Sequence, residues 1–193
     1  MAPRLATEDD LDSLTNTLTL AFENDPLWRW VFPEPGTLEP FWRFFIGNAL
    51  RYPCVWVTGD FDAVAIWIPP GGSELTDEAQ QQVEPLLGSL IGARTPTVMS
   101  LLDRFDQAHP SEPPHYYLSL LGTHPDRRGE GRGMTLLADT LARIDEQGSP
   151  AYLESSNPAN DTRYERLGFR KVGEFSTPDG AHTVATMWRD ARL

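Results

Sequence analysis

The chain has 193 residues, 40% hydrophobic and 23% charged, which suits one globular domain with a substantial core and leaves no apolar run long enough to cross a membrane. Its formal net charge of −12 argues against nucleic acid as a partner and favours the approach of cationic small molecules. The lone cysteine, Cys54, cannot form an internal disulfide, and the start MAPRLATEDD lacks the apolar segment of a signal peptide, so a reducing cytoplasmic setting is expected.

Thr7–Glu8–Asp9–Asp10 opens a helix, with Thr7 as cap and the acids on its positive end, and Leu11, Leu14, Leu18 and Phe22 follow at helical spacing. Asp25–Pro26 reads as a cap followed by proline at the first helical position. Phe41 to Leu50 suggests a further helix that stops near Pro53. Val55–Val57 and Ala63–Ile68 read as strands joined through Gly59–Asp60, and Pro69–Pro70–Gly71–Gly72 ends the second. From Thr76 to Phe105 the pattern is helical, broken into short pieces by Pro85, Gly88, Gly92 and Pro96. Tyr116–Leu121 is a strong strand. Met134, Leu137, Leu141 and Ile144 mark one face of a helix that Gly148 closes. Ala151–Glu154 is a short strand, Asn160–Leu167 a helix, and Phe169–Phe175 with Thr183–Trp188 a final antiparallel pair. No repeat, low-complexity tract or linker divides the chain, so residues 1–193 are expected to form a single domain of mixed α/β class.

Between the strong strand and the helix that starts near Met134 lies Arg127–Arg128–Gly129–Glu130–Gly131–Arg132–Gly133–Met134. A glycine-rich strand-to-helix turn admits an anion close to backbone N–H groups, where the helix dipole adds to the attraction. Two known patterns fail. A P-loop needs Gly-Lys-Ser/Thr where this chain has Gly133–Met134–Thr135, and a dinucleotide turn counted from Gly129 and Gly131 would need a third glycine at Met134. A plain flexible helix start is the remaining reading from the residues alone.

A third pattern fits. Arg128-x-x-Gly131-x-Gly133, preceded by Thr123–His124–Pro125, resembles the acetyl-CoA signature of the GNAT superfamily of N-acetyltransferases. Asn157 to Phe169, NPANDTRYERLGF, is similar to that superfamily's second, asparagine–tyrosine–Gly–Phe segment. AFENDPLWRWVFPEP, AVAIWIPPGG and Glu154–Ser155–Ser156 resemble the branch that includes puromycin N-acetyltransferase. Residues 74–112 match no motif of that branch.

The resemblance implies a GNAT fold, a mixed and mostly antiparallel sheet splayed at the cofactor site and flanked by helices. It implies acetyl-CoA as cofactor and no metal. The diphosphate would lie on the backbone of Arg128, Gly129, Glu130, Gly131, Arg132, Gly133 and Met134, with Arg128 and Arg132 adding charge. Leu121, Gly122 and Thr123 would supply an N–H to the thioester carbonyl, and Asn157 and Asn160 would contact the pantetheine. Tyr164 aligns with the tyrosine that protonates the leaving thiolate, against the alternative of an aromatic core residue. Glu154, at a strand end, would take the amine proton or hold the ammonium, or else sit in an ion pair. Asp25, Trp28, Trp67 and Tyr116 lie in segments that border the acceptor cleft in relatives. Trp28 and Trp30 cannot share a helix face, so one of them belongs to the core. His115 and His124 are further polar neighbours. The implied activity is acetyl transfer to the primary amine of a small molecule by direct attack in a ternary complex, with a homodimer as a common arrangement. A peptide or protein N-acetyltransferase and a non-catalytic coenzyme A sensor are the alternatives.

Overall fold

The first strand, β1 (Arg4–Leu5), runs into a 3-10 turn at Glu8–Asp10, where the Asp10 carboxylate accepts the Thr7 N–H at 2.8 Å and pairs with Arg4 at 2.7 Å. In this computed structural model, which describes residues 2–192, that turn leads into helix α1 (Leu11–Phe22), whose Leu14 and Leu18 are fully buried. Helix α2 (Pro26–Val31) begins as the sequence predicts. Asp25 Oδ1 accepts the N–H groups of Leu27 and Trp28 at 3.0 and 3.2 Å, and Pro26 occupies the first turn, where no N–H is needed. Helix α3 (Leu38–Ala49) precedes the hairpin of β2 (Val55–Thr58) and β3 (Ala63–Ile68).

The predicted broken region holds α4 (Asp77–Gln80), α5 (Val83–Ile91) and α6 (Thr95–Ala108). With 14 residues, α6 is longer than the short pieces expected. Pro96 does not interrupt it, because it sits in the first turn, where proline is tolerated. Then follow β4 (Tyr116–Thr123), α7 (Arg132–Asp145), β5 (Ala151–Ser155), α8 (Asp161–Arg166), β6 (Arg170–Ser176) and β7 (Thr183–Arg189).

The seven strands form one sheet in the order β1-β2-β3-β4-β5-β7-β6, antiparallel at every pair except β4 and β5. The sheet divides the core in two. Val64, Ile66 and Ile68 of β3 join Leu14, Leu18, Phe41 and Leu101 on the side of α1 to α6. Ala63, Ala65 and Trp67 join Leu136, Leu137 and Leu141 of α7 on the other. Burial on both faces explains why β3 reads as an unbroken apolar run.

Two irregularities in β4 shape the molecule. Ile66 of β3 pairs with Leu120, and the next residue, Trp67, pairs with Leu118, so Ser119 has no counterpart. This bulge shifts the alternation: Tyr117 and Leu120 both face the α1–α6 side, while Leu118 faces α7. Beyond it β4 and β5 part. They pair only from Tyr116–Ala151 to Leu118–Leu153, after which β4 stays with β3 as far as Thr123 and β5 stays with β7 as far as Ser155. The expected splay is therefore present, and it begins at the bulge. Helix α1 can lie close against the parted half of β4 because Gly122 has no side chain. A Cβ there would stand 2.7 Å from Leu18 Cδ2 and 2.9 Å from Ala21 Cβ.

Candidate active site

The parted strands open into a cavity of about 480 Å3. Its sides are the β4 edge at Ser119–Leu121 and the end of β5 at Glu154–Ser156, and Asn160 and Tyr164 reach it from the segment that carries α8. The Pro69–Leu75 loop and the last turn of α6 enclose it, and an aromatic end is formed by Phe22, Trp28, Phe41, Trp42 and Phe45.

Glu154 lines this space. Its side chain is 2% exposed; the Tyr117 and Tyr152 hydroxyls stand near enough to feel its charge, but neither carboxylate oxygen meets a partner at hydrogen-bonding geometry among the described residues. A buried unpaired carboxylate is costly unless a cation meets it. The nearest basic group is His109, at the end of α6, whose Nδ1 lies 3.6 Å from Glu154 Oε1. His109 Nε2 lies 3.1 Å from His115 Nε2, and His115 Nδ1 lies 2.8 Å from the Pro113 carbonyl. A carbonyl only accepts, so His115 carries its proton on Nδ1, and its Nε2 accepts from His109. Burial pushes the His115 imidazole below its ordinary range, which keeps it in this neutral form.

Two more acids face the cavity. Glu74 accepts the Ser119 hydroxyl, and burial, reinforced by the charges of Glu154 and Asp106, raises its pKa to about 7. Asp106, one turn before His109 on α6, is also raised, first by burial and then by Asp103. Tyr164 presents a hydroxyl with no hydrogen-bond partner among the described residues. Burial, then the charges of Asp25 and Asp161, push it up to about 12, so the phenol keeps its proton.

The structure thus gathers Glu154, Tyr164, Trp28, Asn160 and Leu121 around one space. Other residues singled out from the sequence lie elsewhere. Trp67, 1% exposed, donates its indole N–H to Thr140 Oγ1 of α7 at 3.1 Å, on the opposite side of the sheet. Tyr116 stands edge-on to Trp67 and donates to Gln147 Oε1 at 2.8 Å. Its neighbour Tyr117 points into the cavity instead. Asp25 is occupied as the cap of α2, and its Oδ2 accepts the Ser156 hydroxyl at 2.9 Å; it holds the end of β5 in place from behind the cavity. Of the two tryptophans on α2, Trp28 is buried, and Trp30 donates to Asp179 at 2.8 Å. Asn157 Oδ1 accepts the Ala159 N–H at 3.1 Å, the turn-making alternative for this residue, and Asn160 Oδ1 accepts from Arg163. Glu74, Asp106, His109 and Tyr117 were not singled out. The helical spacing of Phe105, Asp106 and His109 was a signal for two of them, Asp106 and His109, in a region without a recognisable motif; Glu74 and Tyr117 carried none.

The glycine turn follows the end of the parted strand, between β4 and α7. Gly129 and Gly131 have φ of +83° and +74°, and the space where their Cβ atoms would stand is open. Gly131 precedes α7, whose first recorded bond runs from Thr135 N to Gly131 O at 2.9 Å, so the N–H groups of Arg132, Gly133 and Met134 lie ahead of the helical ladder. These donors, next to the open space at Gly129 and Gly131 and at the positive end of a 14-residue helix, fit a diphosphate. The neighbouring arginines brace the turn. Arg127 and Arg132 both grip Asp62 of the β2–β3 connection, at 3.1 and 2.5 Å, and Arg132 also holds Glu130 at 2.7 Å. The Arg128 guanidinium donates to the Ala21 carbonyl at 2.8 Å, and its backbone N–H is taken by Pro125 O. Gly133 has a packing role: a Cβ there would run into the Thr123 hydroxyl.

No protein-family model matches the chain. Solved structures do. An acetyltransferase from Corynebacterium glutamicum, described as histone acetyltransferase HPA2 and related acetyltransferase, is 25% identical, with all of this chain and 98% of that one covered, at a TM-score of 0.67. Arylalkylamine N-acetyltransferase 2 from Aedes aegypti is 14% identical over 99% of each chain, at 0.74. A polyamine N-acetyltransferase from Drosophila melanogaster, which forms N-acetylagmatine, is 16% identical over 98% of this chain and 99% of its own, at 0.67. The fold is that of the GNAT acetyltransferases, and it places the chain among transferases that act as acetyltransferases. These neighbours lend no support to the narrower placement beside puromycin N-acetyltransferase.

Proposed function

We propose that this chain transfers an acetyl group from acetyl-CoA to the primary amine of a small cationic molecule, by direct attack within a ternary complex. The observation that carries the reading is the parted β4–β5 edge: the glycine turn adjoins it, and the cavity behind it holds the unpartnered Glu154 carboxylate and the Tyr164 phenol. Acetyl-CoA would supply the activated thioester, with the N–H groups from Gly129 to Met134 holding its diphosphate. Glu154 draws in the ammonium and takes its proton. A backbone N–H on the edge of β4 at Leu121–Thr123 that β5 leaves free would meet the negative charge that develops on the carbonyl oxygen. Tyr164, which keeps its proton, gives it to the departing sulfur.

The enclosure by the Pro69–Leu75 loop and α6 favours a small acceptor over a peptide. The known neighbours that act on arylalkylamines and on polyamines support the same class. The reading takes residues 1–193 as one working domain, places it in the cytoplasm on the strength of the lone thiol, and allows a homodimer.

Calorimetric titration with acetyl-CoA tests the cofactor half. Saturable binding by the wild type, lost in a Gly131→Val variant that circular dichroism shows to be folded, is the expected result. Failure of the folded wild type to bind acetyl-CoA would sink the proposal. Acetyl transfer to agmatine, spermidine and tryptamine, compared with short peptides, tests the acceptor half. Faster transfer to the peptides would favour the peptide enzyme, and binding without any transfer would favour a sensor.

A further inference from the structure

Three acids from three separate elements face one cavity: Glu74 after β3, Asp106 on α6 and Glu154 on β5. Lysine and arginine are absent from the residues that line it, and the bases present are His109 and His115. Glu154 is buried with both oxygens unpartnered, and Glu74 is engaged through one oxygen by a neutral hydroxyl. The acids sense one another, since Glu154 and Asp106 both add to the difficulty of ionising Glu74. A single ammonium at Glu154 would leave the other two carboxyls facing each other across a poorly solvated space.

We infer that the acceptor carries two cationic nitrogens, a primary amine that meets Glu154 and a second positive group held by Glu74 and Asp106. The inference rests on the proposed reading of the cavity as the acceptor site, and it names the substrate class as diamines and guanidino-amines. Leu102, Phe105 and Tyr117 line the same cavity and offer apolar surface for the methylenes that link two such groups. The pH dependence has a definite sign. The groups around Glu74 are Ser119 and Tyr117 on β4, Glu154 on β5, Asp106 on α6 and His109 just beyond its end. As pH rises through about 7, Glu74 gains its charge, so the preference for a dication grows.

The test is titration of the protein, saturated with coenzyme A, with putrescine against n-butylamine and n-pentylamine and with agmatine against n-heptylamine, controls that carry one charge on a chain of similar length. The dications are expected to bind at least about tenfold tighter, the size of one well-desolvated charge contact. Glu74→Gln and, as a second variant, Asp106→Asn, each checked for folding, should shrink that ratio. Equal binding of mono- and dications by the wild type would overturn the inference, as would an unchanged ratio in both folded variants or no binding of putrescine and agmatine. The two readings fail separately. Transfer to n-butylamine as fast as to putrescine leaves the acetyltransferase standing and removes the diamine preference. Absence of transfer to any amine removes the transferase reading, while the titration still reports the charge preference.

Discussion

At Tyr164, burial and the charges of Asp25 and Asp161 act in one direction, so the phenol stays protonated well above neutral pH. Tyr164→Phe is expected to lower kcat by about 10- to 100-fold while leaving the acetyl-CoA KM nearly unchanged, the pattern of a proton donated in the transition state alone. Steady-state kinetics at saturating acetyl-CoA checks this. Glu74 makes a stability prediction. Its folded pKa, about 7, lies above the ordinary carboxylate value of 4.5, so between those limits the folded state binds more protons than the unfolded one. Its contribution to stability therefore falls as pH rises from about 4.5 to about 7. Urea unfolding at pH 5, 6, 7 and 8 should show Glu74→Gln losing less stability over that range than the wild type. These residues divide by how they could be read in advance. Tyr164 sits inside the segment similar to the superfamily's second motif and Glu154 three residues before it, whereas Glu74 lies in a stretch that matches none. Its chemistry comes from what folds around it.

Strand β4 is the element where alternation misleads. A regular strand would put Tyr116, Leu118 and Leu120 on one face, but the bulge at Ser119 places Tyr117 with Leu120 and sends Tyr116 toward α7. No local residue signals the bulge, so the sequence pattern located the strand and misassigned the tyrosine that faces the cavity. The glycine turn was legible because its own geometry needs glycine at 129 and 131. What the sequence did not convey is that its arginines point inward to Asp62. Asp62 is itself tied in place, with its backbone carbonyl accepting the His124 N–H at 2.9 Å. Asp62→Asn should therefore loosen the turn. Hydrogen exchange at residues 128–134 is expected to quicken by about tenfold, and acetyl-CoA to bind more weakly by a similar factor, the order of one charge-assisted contact. Unchanged exchange would mean that the turn holds its shape without the two arginines.

Across the whole molecule the net charge of −12 adds a long-range pull on cations to the local acids of the cavity. The KM for agmatine should rise several-fold between roughly 0.02 and 0.3 M salt, with kcat little affected, because screening acts on approach. Composition conveyed that charge, and periodicity conveyed the alternation of helices and strands. The meeting of residues 69–75, α6 and β5 around one space is a long-range outcome that neither contains. The gap between β4 and β5 is where the glycine turn and the cavity come together. Much of the cavity wall comes from residues ahead of β4, with β4 itself, the β5 end and the α8 segment completing it, and the glycine turn is braced from the β2–β3 connection and α1. The two sides can drift at different rates. Exchanging residues 69–114 with those of another enzyme of this fold should transplant acceptor choice and leave the grip on acetyl-CoA as it was, so new substrates can be acquired by one half of the protein while the other half is simply inherited.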